Sequence, residues 1–281
     1  MRRWVLAAMM VVTAHGALAA DMPDLPVLRG FMNDGPRTTR TTWEGVYVGG
    51  QAGYTSSQMN FTGTNNSLIS SFITNNSVLF QNSPAVLPAF PVLGKSWSQS
   101  TGFGGFVGYN AQWDDAVISV EGSYSHLNLT GSFVGATQFS TVAPAGGYAY
   151  QAFTDSRASL TVHDLGTLRV RGGYAAGAFM PYAFAGLALA RGDISRVVTA
   201  RVDRTPIVGQ VQDVNAVPGI APVTATDNIA NRLLYGYTFG VGSEVLMFGN
   251  VFARAEYEYV RLTTPVDVNI NSVRGGLGYK F

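Results

Sequence analysis

The chain of 281 residues contains no cysteine, so neither disulfides nor thiolate-bound metals hold its fold, a usage compatible with an oxidising periplasm. It also lacks an excess of either charge: 18 basic against 17 acidic residues give +1, and −1 once Arg2 and Arg3 are set aside. Such a balance argues against nucleic acid or an anionic membrane surface as partner. Beyond residue 20 no stretch approaches the roughly 18 uncharged apolar residues that a membrane helix requires. What is present is 47% hydrophobic residues with 33 glycines, and the apolar residues recur singly with a period of two. A chain of this kind crosses a bilayer, if at all, as strands.

Arg2 and Arg3, the apolar stretch Trp4 to Val12 and the small-x-small pattern Ala17-Leu18-Ala19-Ala20 predict a secretory signal peptide over 1–20. A barrel crosses the inner membrane unfolded, so general secretion fits better than export in the folded state. Residues 21–42 hold Pro23, Pro26 and Pro36 without a strand pattern and read as a flexible periplasmic lead-in to a barrel over 43–281.

Eight strands are predicted. The first, 43–54, sets Val46, Val48, Ala52 and Tyr54 against Tyr47, Gly49, Gln51 and Gly53, and the second, 102–113, ends at the tight turn Asp114-Asp115. The third to sixth lie at 116–126, 163–174, 181–191 and 232–247. The fifth is ambiguous in facing, with Tyr182 and Phe184 on one side and Leu187 and Leu189 on the other. The seventh follows Phe248-Gly249-Asn250, and the eighth runs from Ser272 to Phe281 with Val273, Gly275, Leu277, Tyr279 and Phe281 on its apolar side. Long connections at 55–101, 127–162 and 192–231 alternate with short ones at 114–115, 175–180 and 248–250, which predicts an all-β, eight-stranded antiparallel transmembrane barrel with long external loops and short periplasmic turns. Even strand number and closure leave no unpaired edge in lipid. A soluble lipocalin-like barrel, the competing architecture, requires the opposite arrangement, apolar inside and polar outside.

With the apolar face outward, Glu121, Arg169, Arg171, Glu244, Arg254, Glu256, Glu258, Arg274 and Lys280 all point inward. A cation on the lipid face near the midplane costs about 2–4 kcal/mol, which explains the parity. Four glutamates against five bases predict mutual pairing, either as a structural ion-pair network in an interior just wide enough for its own side chains or as a charged constriction that selects solutes. Trp43, Trp113, Tyr124, Tyr174 and Tyr259, near strand ends, suit aromatic girdles at the membrane interfaces.

No catalytic, cofactor or metal constellation emerges. By parity His126 faces outward near the external side and His163 inward, without a converging serine or carboxylate. Gly102-Phe103-Gly104-Gly105 lacks the spacing and following helix of a nucleotide loop. Inward glycines instead leave room for neighbouring inward side chains. The first long connection, 55–101, is rich in Asn, Ser and Thr with the single charge Lys95, and is a candidate recognition surface.

Several segments in order, Asp24-Leu25-Pro26, Arg29-Gly30, Trp43 to Gly50, Glu256-Tyr257-Glu258-Tyr259 and the closing Arg274 to Phe281, resemble the small porin-like outer-membrane β-barrel proteins of alphaproteobacteria, related to opacity proteins and to the OmpA transmembrane domain. The resemblance covers the barrel frame and not the long connections. It implies an abundant surface protein that stabilises the outer membrane and contacts lipopolysaccharide, with porin activity, adhesion or haem binding in some members. It also implies that Tyr279 and Phe281 are read by the barrel-assembly machinery. The expected partners are thus outer-membrane lipid and lipopolysaccharide, that machinery, and an extracellular ligand at the loops. Three functions compete: a structural barrel closed by its charge network, a narrow diffusion channel, and a surface binder acting through the external connections. An embedded enzyme ranks behind them, since fold alone assigns no chemistry.

Overall fold

A computed structural model describes residues 42–76, 90–145, 148–206, 220–263 and 266–281. The predicted signal peptide and the lead-in as far as Thr41, including Asp24 to Gly30, lie outside the described residues, as do parts of all three long connections. Eight strands form a closed barrel in sequence order: β1 (Gly45–Asn60), β2 (Lys95–Trp113), β3 (Ala116–Ala145), β4 (Tyr148–Tyr174), β5 (Phe179–Pro206), β6 (Ile220–Phe248), β7 (Val251–Leu262) and β8 (Asp267–Lys280). Antiparallel pairing of β1 with β8, from Tyr47↔Lys280 to Asn60↔Asp267, closes the ring. The short turns sit where expected, with Asp114 (φ 52°), Gly177 (φ 65°) and Gly249 (φ 57°) supplying the left-handed backbone that tight reversals need.

The barrel wall follows the period of two. Val48, Val107, Val120, Leu168, Val170, Val241 and Val273 are exposed on the outside, while the charged residues of the same strands are buried inside. The ambiguity of β5 resolves in the same sense: Tyr182 and Phe184 are buried in the interior, and Leu187 and Leu189 face out. Inward glycines make room for large rings. A Cβ on Gly49 would stand 2.2 Å from Phe106 Cζ, and one on Gly278 would stand 2.3 Å from Phe252 Cζ.

Above the membrane band the structure departs from the expected loops. Residues 127–145 and 148–162 pair as continuations of β3 and β4, and 192–206 and 220–230 continue β5 and β6. These strands are 27 to 30 residues long, against the 9–11 or so that span a bilayer. Along β3 face parity continues but polarity inverts, Leu127 and Leu129 turning inward while Asn128 and Thr130 turn outward; on β4 Leu165 and, past a bulge that shifts parity by one residue, Val162 and Leu160 likewise turn inward. The external part is therefore arranged as a sheet of β3 to β6 whose inner face is apolar and outer face polar, standing on a membrane barrel that is apolar outside. Each section places its apolar residues away from water.

The first connection is not a featureless polar loop. Residues Asn66–Asn75 form a helix, α1, whose Phe72 is buried with Val198 and Ala200 of β5. Arg196 of β5 pairs with Asp227 of β6 and donates to the Thr64 carbonyl (2.8 Å) and to Ser67 Oγ (3.2 Å), anchoring the start of that helix.

Candidate functional site in the barrel interior

The interior is layered. Nearest the periplasmic turns lies an aromatic layer with Trp43, Tyr47, Phe106, Tyr182, Phe184 and Phe252. Trp43 is not a girdle residue: it is only 1% exposed, its indole N–H donates to the Gly177 carbonyl (3.0 Å), and its ring meets Phe252 edge-on. The chain before β1 folds inward there, because Asn110 Nδ2 donates to the Trp43 carbonyl (2.9 Å) and the Trp43 backbone N–H donates to Gln112 Oε1 (2.6 Å). Trp113, Tyr124 and Tyr174 do face outward.

Among these rings sits the charge network. Glu121 on β3 is its hub, accepting from Arg169, from Arg171 Nη1 (2.5 Å), from Arg254 Nη2 (2.6 Å) and from the Tyr47 hydroxyl (2.7 Å). Glu244 joins Arg171 (2.6 Å) to Arg254 (2.7 Å). Glu256 takes Arg169 (3.0 Å), Arg274 (3.3 Å) and the Tyr182 hydroxyl (2.7 Å). Glu258 takes Arg274 (2.7 Å), Arg169 (3.5 Å) and the Thr238 hydroxyl (2.9 Å). Four carboxylates thus meet four guanidiniums, and the set is electrically balanced.

Aromatic faces complete the solvation that water would otherwise supply. Arg254 lies over Phe106 at 3.6 Å from the ring centroid, Arg171 over Tyr182 at 3.8 Å and Arg169 over Phe184 at 4.3 Å. With Tyr47 on β1, Phe106 on β2 and the two β5 rings, all eight strands contribute to this layer. Counting charges misses these rings. Face parity carries the signal, since Tyr47 and Phe106 share the inward side with glycines.

Lys280 stands apart. It is buried on the inward face, but six residues beyond Arg274 along β8, about 20 Å at strand rise. Its Nζ donates to the Thr42 carbonyl (2.5 Å) at the periplasmic end and makes no ion pair with the four glutamates. Phe281, by contrast, points outward, 70% exposed, with its ring 5.1 Å from that of Tyr279 and its backbone N–H donating to the Val46 carbonyl (2.8 Å).

External to the charges, hydroxyl and amide groups make a thin polar layer, with Gln51 Nε2 donating to Ser125 Oγ (3.3 Å) and Thr55 bonded to Ser272 (3.0 Å). The cavity among them measures about 10 Å³, room for no more than one water. Beyond it an apolar layer follows, with Met59, Phe61, Leu129, Leu160, Leu234 and Val260 fully buried. A much larger concavity, about 820 Å³, lies elsewhere, on the lipid-facing wall between Val107, Gly122, Leu168 and Leu189.

His163 does not face the interior. A bulge between Val162 and Asp164 makes it the extra residue of β4 and turns its ring to Asp193 on the outer face, with Nε2 to Oδ2 3.1 Å. The Asn231 backbone N–H donates to the other Asp193 oxygen (2.8 Å); that bond first, and His163 second, hold the carboxyl below its ordinary value. His126 faces outward as expected, 2.9 Å from Asp164. Among the described residues no group of three or more His, Asp or Glu side chains is arranged to hold a metal.

Among solved structures, the attachment invasion locus protein Ail of Yersinia pestis aligns at 11% identity, over 85% of this chain and 99% of its own, with a TM-score of 0.31. Neisserial surface protein A aligns at 14% identity over 84% and 97%, with a TM-score of 0.32. The outer membrane protease OmpT of Escherichia coli aligns at 6% identity over 84% and 97%, with a TM-score of 0.27. No curated protein matches the sequence. Residues 5–281 match the family profile described as outer membrane protein beta-barrel domain. An eight-stranded ring, an outward apolar band and a match over nearly the whole length converge: the chain belongs to the outer membrane protein β-barrel domain family and resides in the bacterial outer membrane.

Proposed function

We propose that this protein is a non-enzymatic, non-conducting barrel that serves the outer membrane as a structural and surface component. The observation that carries this reading is the cross-section at Glu121, where ion pairs from facing walls leave network side chains at most 7% exposed. An ion pair that spans a lumen removes the water path an ion would use, and the apolar layer external to it adds a second barrier. Desolvating eight charges is costly, so the network is better understood as fixing which strand faces inward than as a net source of stability. The outward band is matched to lipid, with lipopolysaccharide the expected neighbour on the external side, and Tyr279 with Phe281 form the segment the assembly machinery would read.

The test is single-channel recording on the refolded chain from Asp21, together with Arg169→Ala and Glu256→Ala. Silence in all three is the expected result. Discrete steps whose size shifts with either substitution would overturn the reading and make the network the lining of a narrow diffusion channel.

A further inference from the structure

Above the membrane, β2, β1, β8 and β7 form a shorter wall than the sheet of β3 to β6, from which β2 parts beyond Phe103↔His126. The outward face of this wall carries one large ring that lipid does not explain. Trp97 on β2 is 69% exposed, and its indole has neither a ring contact nor a hydrogen-bond partner among the described residues. It lies six residues beyond Phe103, the last ring of the outward apolar band on β2, with Thr101 and Gln99 between them on the same face. That is about 20 Å along the strand and, at a tilt of about 40°, about 15 Å in height. The headgroup region adds only about 5–8 Å on each side of the hydrocarbon, so Trp97 stands in water above any aromatic girdle.

Strand register places polar residues beside it. Trp97 pairs with Gln58, Gln58 with Asn269 and Asn269 with Arg261, a row of four outward residues about 4.8 Å apart. Asn60 lies above that row on β1, and Asn271 lies below it on β8. The three asparagines share one arrangement, in which the side-chain oxygen is occupied from within the protein. Asn60 Oδ1 accepts from the Thr62 backbone N–H (3.1 Å), Asn269 Oδ1 from the Tyr259 hydroxyl (2.9 Å) and Asn271 Oδ1 from the Tyr257 hydroxyl (2.7 Å). These bonds fix the amide planes and leave each Nδ2 without a partner among the described residues, a set of oriented donors on the outer face.

Fixed donors whose own oxygens are spent, set beside a bare indole, call for a ligand with acceptor oxygens around an apolar plate. A pyranose ring has that form. Its hydroxyls accept at the edge, while its C–H face carries partial positive charge that suits the negative face of an aromatic ring. Charge favours an uncharged sugar. Lys95 and Arg261 are three strand spacings apart, about 14 Å, with Asp267 on the strand between them, so no cation cluster is present to hold a sulfate or phosphate. Because the face stands clear of lipid, a saccharide without a lipid anchor can make every one of these contacts.

We propose that the outward face of β2, β1 and β8 above the membrane binds an uncharged pyranose oligosaccharide from outside the cell. One ring stacks on Trp97, and its neighbour takes hydrogen bonds from Gln58, Asn60, Asn269 and Asn271. The distance from Trp97 to Asn269, two strand spacings or about 10 Å, is within the reach of two linked rings. Nothing in this depends on whether the lumen conducts.

The test uses the full barrel refolded in phosphatidylcholine vesicles, which carry no sugar. The probes are maltotetraose, cellotetraose, mannotetraose and chitotetraose, with a heparin tetrasaccharide as the charged control, and binding is read by saturation-transfer NMR. At least one uncharged probe should bind more tightly than the heparin fragment. Trp97→Ala should weaken that binding by about ten-fold or more, and Trp97→Phe, which keeps a ring, should restore most of it. Asn269→Asp keeps the acceptor for the Tyr259 hydroxyl and removes the outward donor, so it too should weaken binding several-fold. Unchanged heat-modifiable mobility shows that each variant is folded. Failure of all four uncharged probes with the parent protein, which needs no variant to measure, would overturn the proposal. So would equal binding by Trp97→Ala, or tighter binding of the heparin fragment, which would mark an anion surface at Lys95 and Arg261. Binding of the same sugars only when they are anchored to a lipid of the vesicle would overturn the external source and point to a glycolipid of the protein's own membrane.

Discussion

Arg254 and Glu121 stand on β7 and β3, half the ring apart in an eight-stranded barrel, and their Nη2 and Oε2 atoms lie 2.6 Å from one another. A single ion pair therefore spans the lumen. Because Glu121 also takes Arg169 and Arg171, three guanidiniums share one carboxylate. Replacing it leaves buried positive charge without its main partner.

Glu121→Gln keeps the shape and removes the charge. It is expected to destabilise the refolded barrel by about 3–5 kcal/mol, the usual cost of stripping one partner from a buried ionic cluster. Urea unfolding in lipid vesicles checks this; an unchanged midpoint would mean that the guanidiniums are adequately held by Glu244, Glu256 and the aromatic faces.

Phe281→Ala separates assembly from stability. The side chain is exposed to lipid, while the backbone bond to Val46 survives the substitution. The purified variant should refold with a stability within about 1 kcal/mol of the parent. The amount of heat-modifiable barrel recovered from outer-membrane fractions should nevertheless fall several-fold. Normal recovery would count against a role for this residue in assembly.

Leu160→Ala probes the external apolar layer. Leu160 is fully buried there, so the substitution should cost about 2–5 kcal/mol locally. The membrane section has its own packing, and the loss should appear as protease cleavage within 127–162 on intact cells, with the transmembrane remainder protected. Resistance equal to the parent would show that the external strands do not rely on this core.

Asp193 gives the external sheet a pH dependence. Its carboxyl is held below the ordinary value by the Asn231 N–H and by His163. A group with a depressed folded pKa contributes stability that is fully present above the unfolded value, near 3.8, and is lost as pH falls through the folded value. Exchange at the Asn231 amide should therefore stay slow from neutral pH to about pH 4 and quicken, relative to its intrinsic rate, only below it. Asp193→Asn should show the faster exchange at every pH.

Much of the membrane barrel was legible in the chain because lipid imposes a simple rule. Where one face must be apolar, a period of two displays it residue by residue, and Val273, Leu277 and Tyr279 opposite Arg274 and Lys280 reveal strand, face and solvent together. The same rule placed Glu121, Arg169 and Arg254 inside. It failed above the membrane, where water replaces lipid and the preferred face reverses: 127–162 and 192–231 read as loops because their apolar residues change sides, while the backbone continues unbroken as strand for most of that length.

The sequence by itself thus determined the strand period, the outward band and which charges enter the interior, since these follow from local alternation against a known solvent. Only the tertiary structure decided which glutamate meets which arginine, that Trp43 packs inside the barrel and Lys280 bonds to Thr42, that His163 turns out at a bulge, and where β2 parts from β3. Each depends on register and on distances between strands remote in the chain, which alternation along a single strand does not encode.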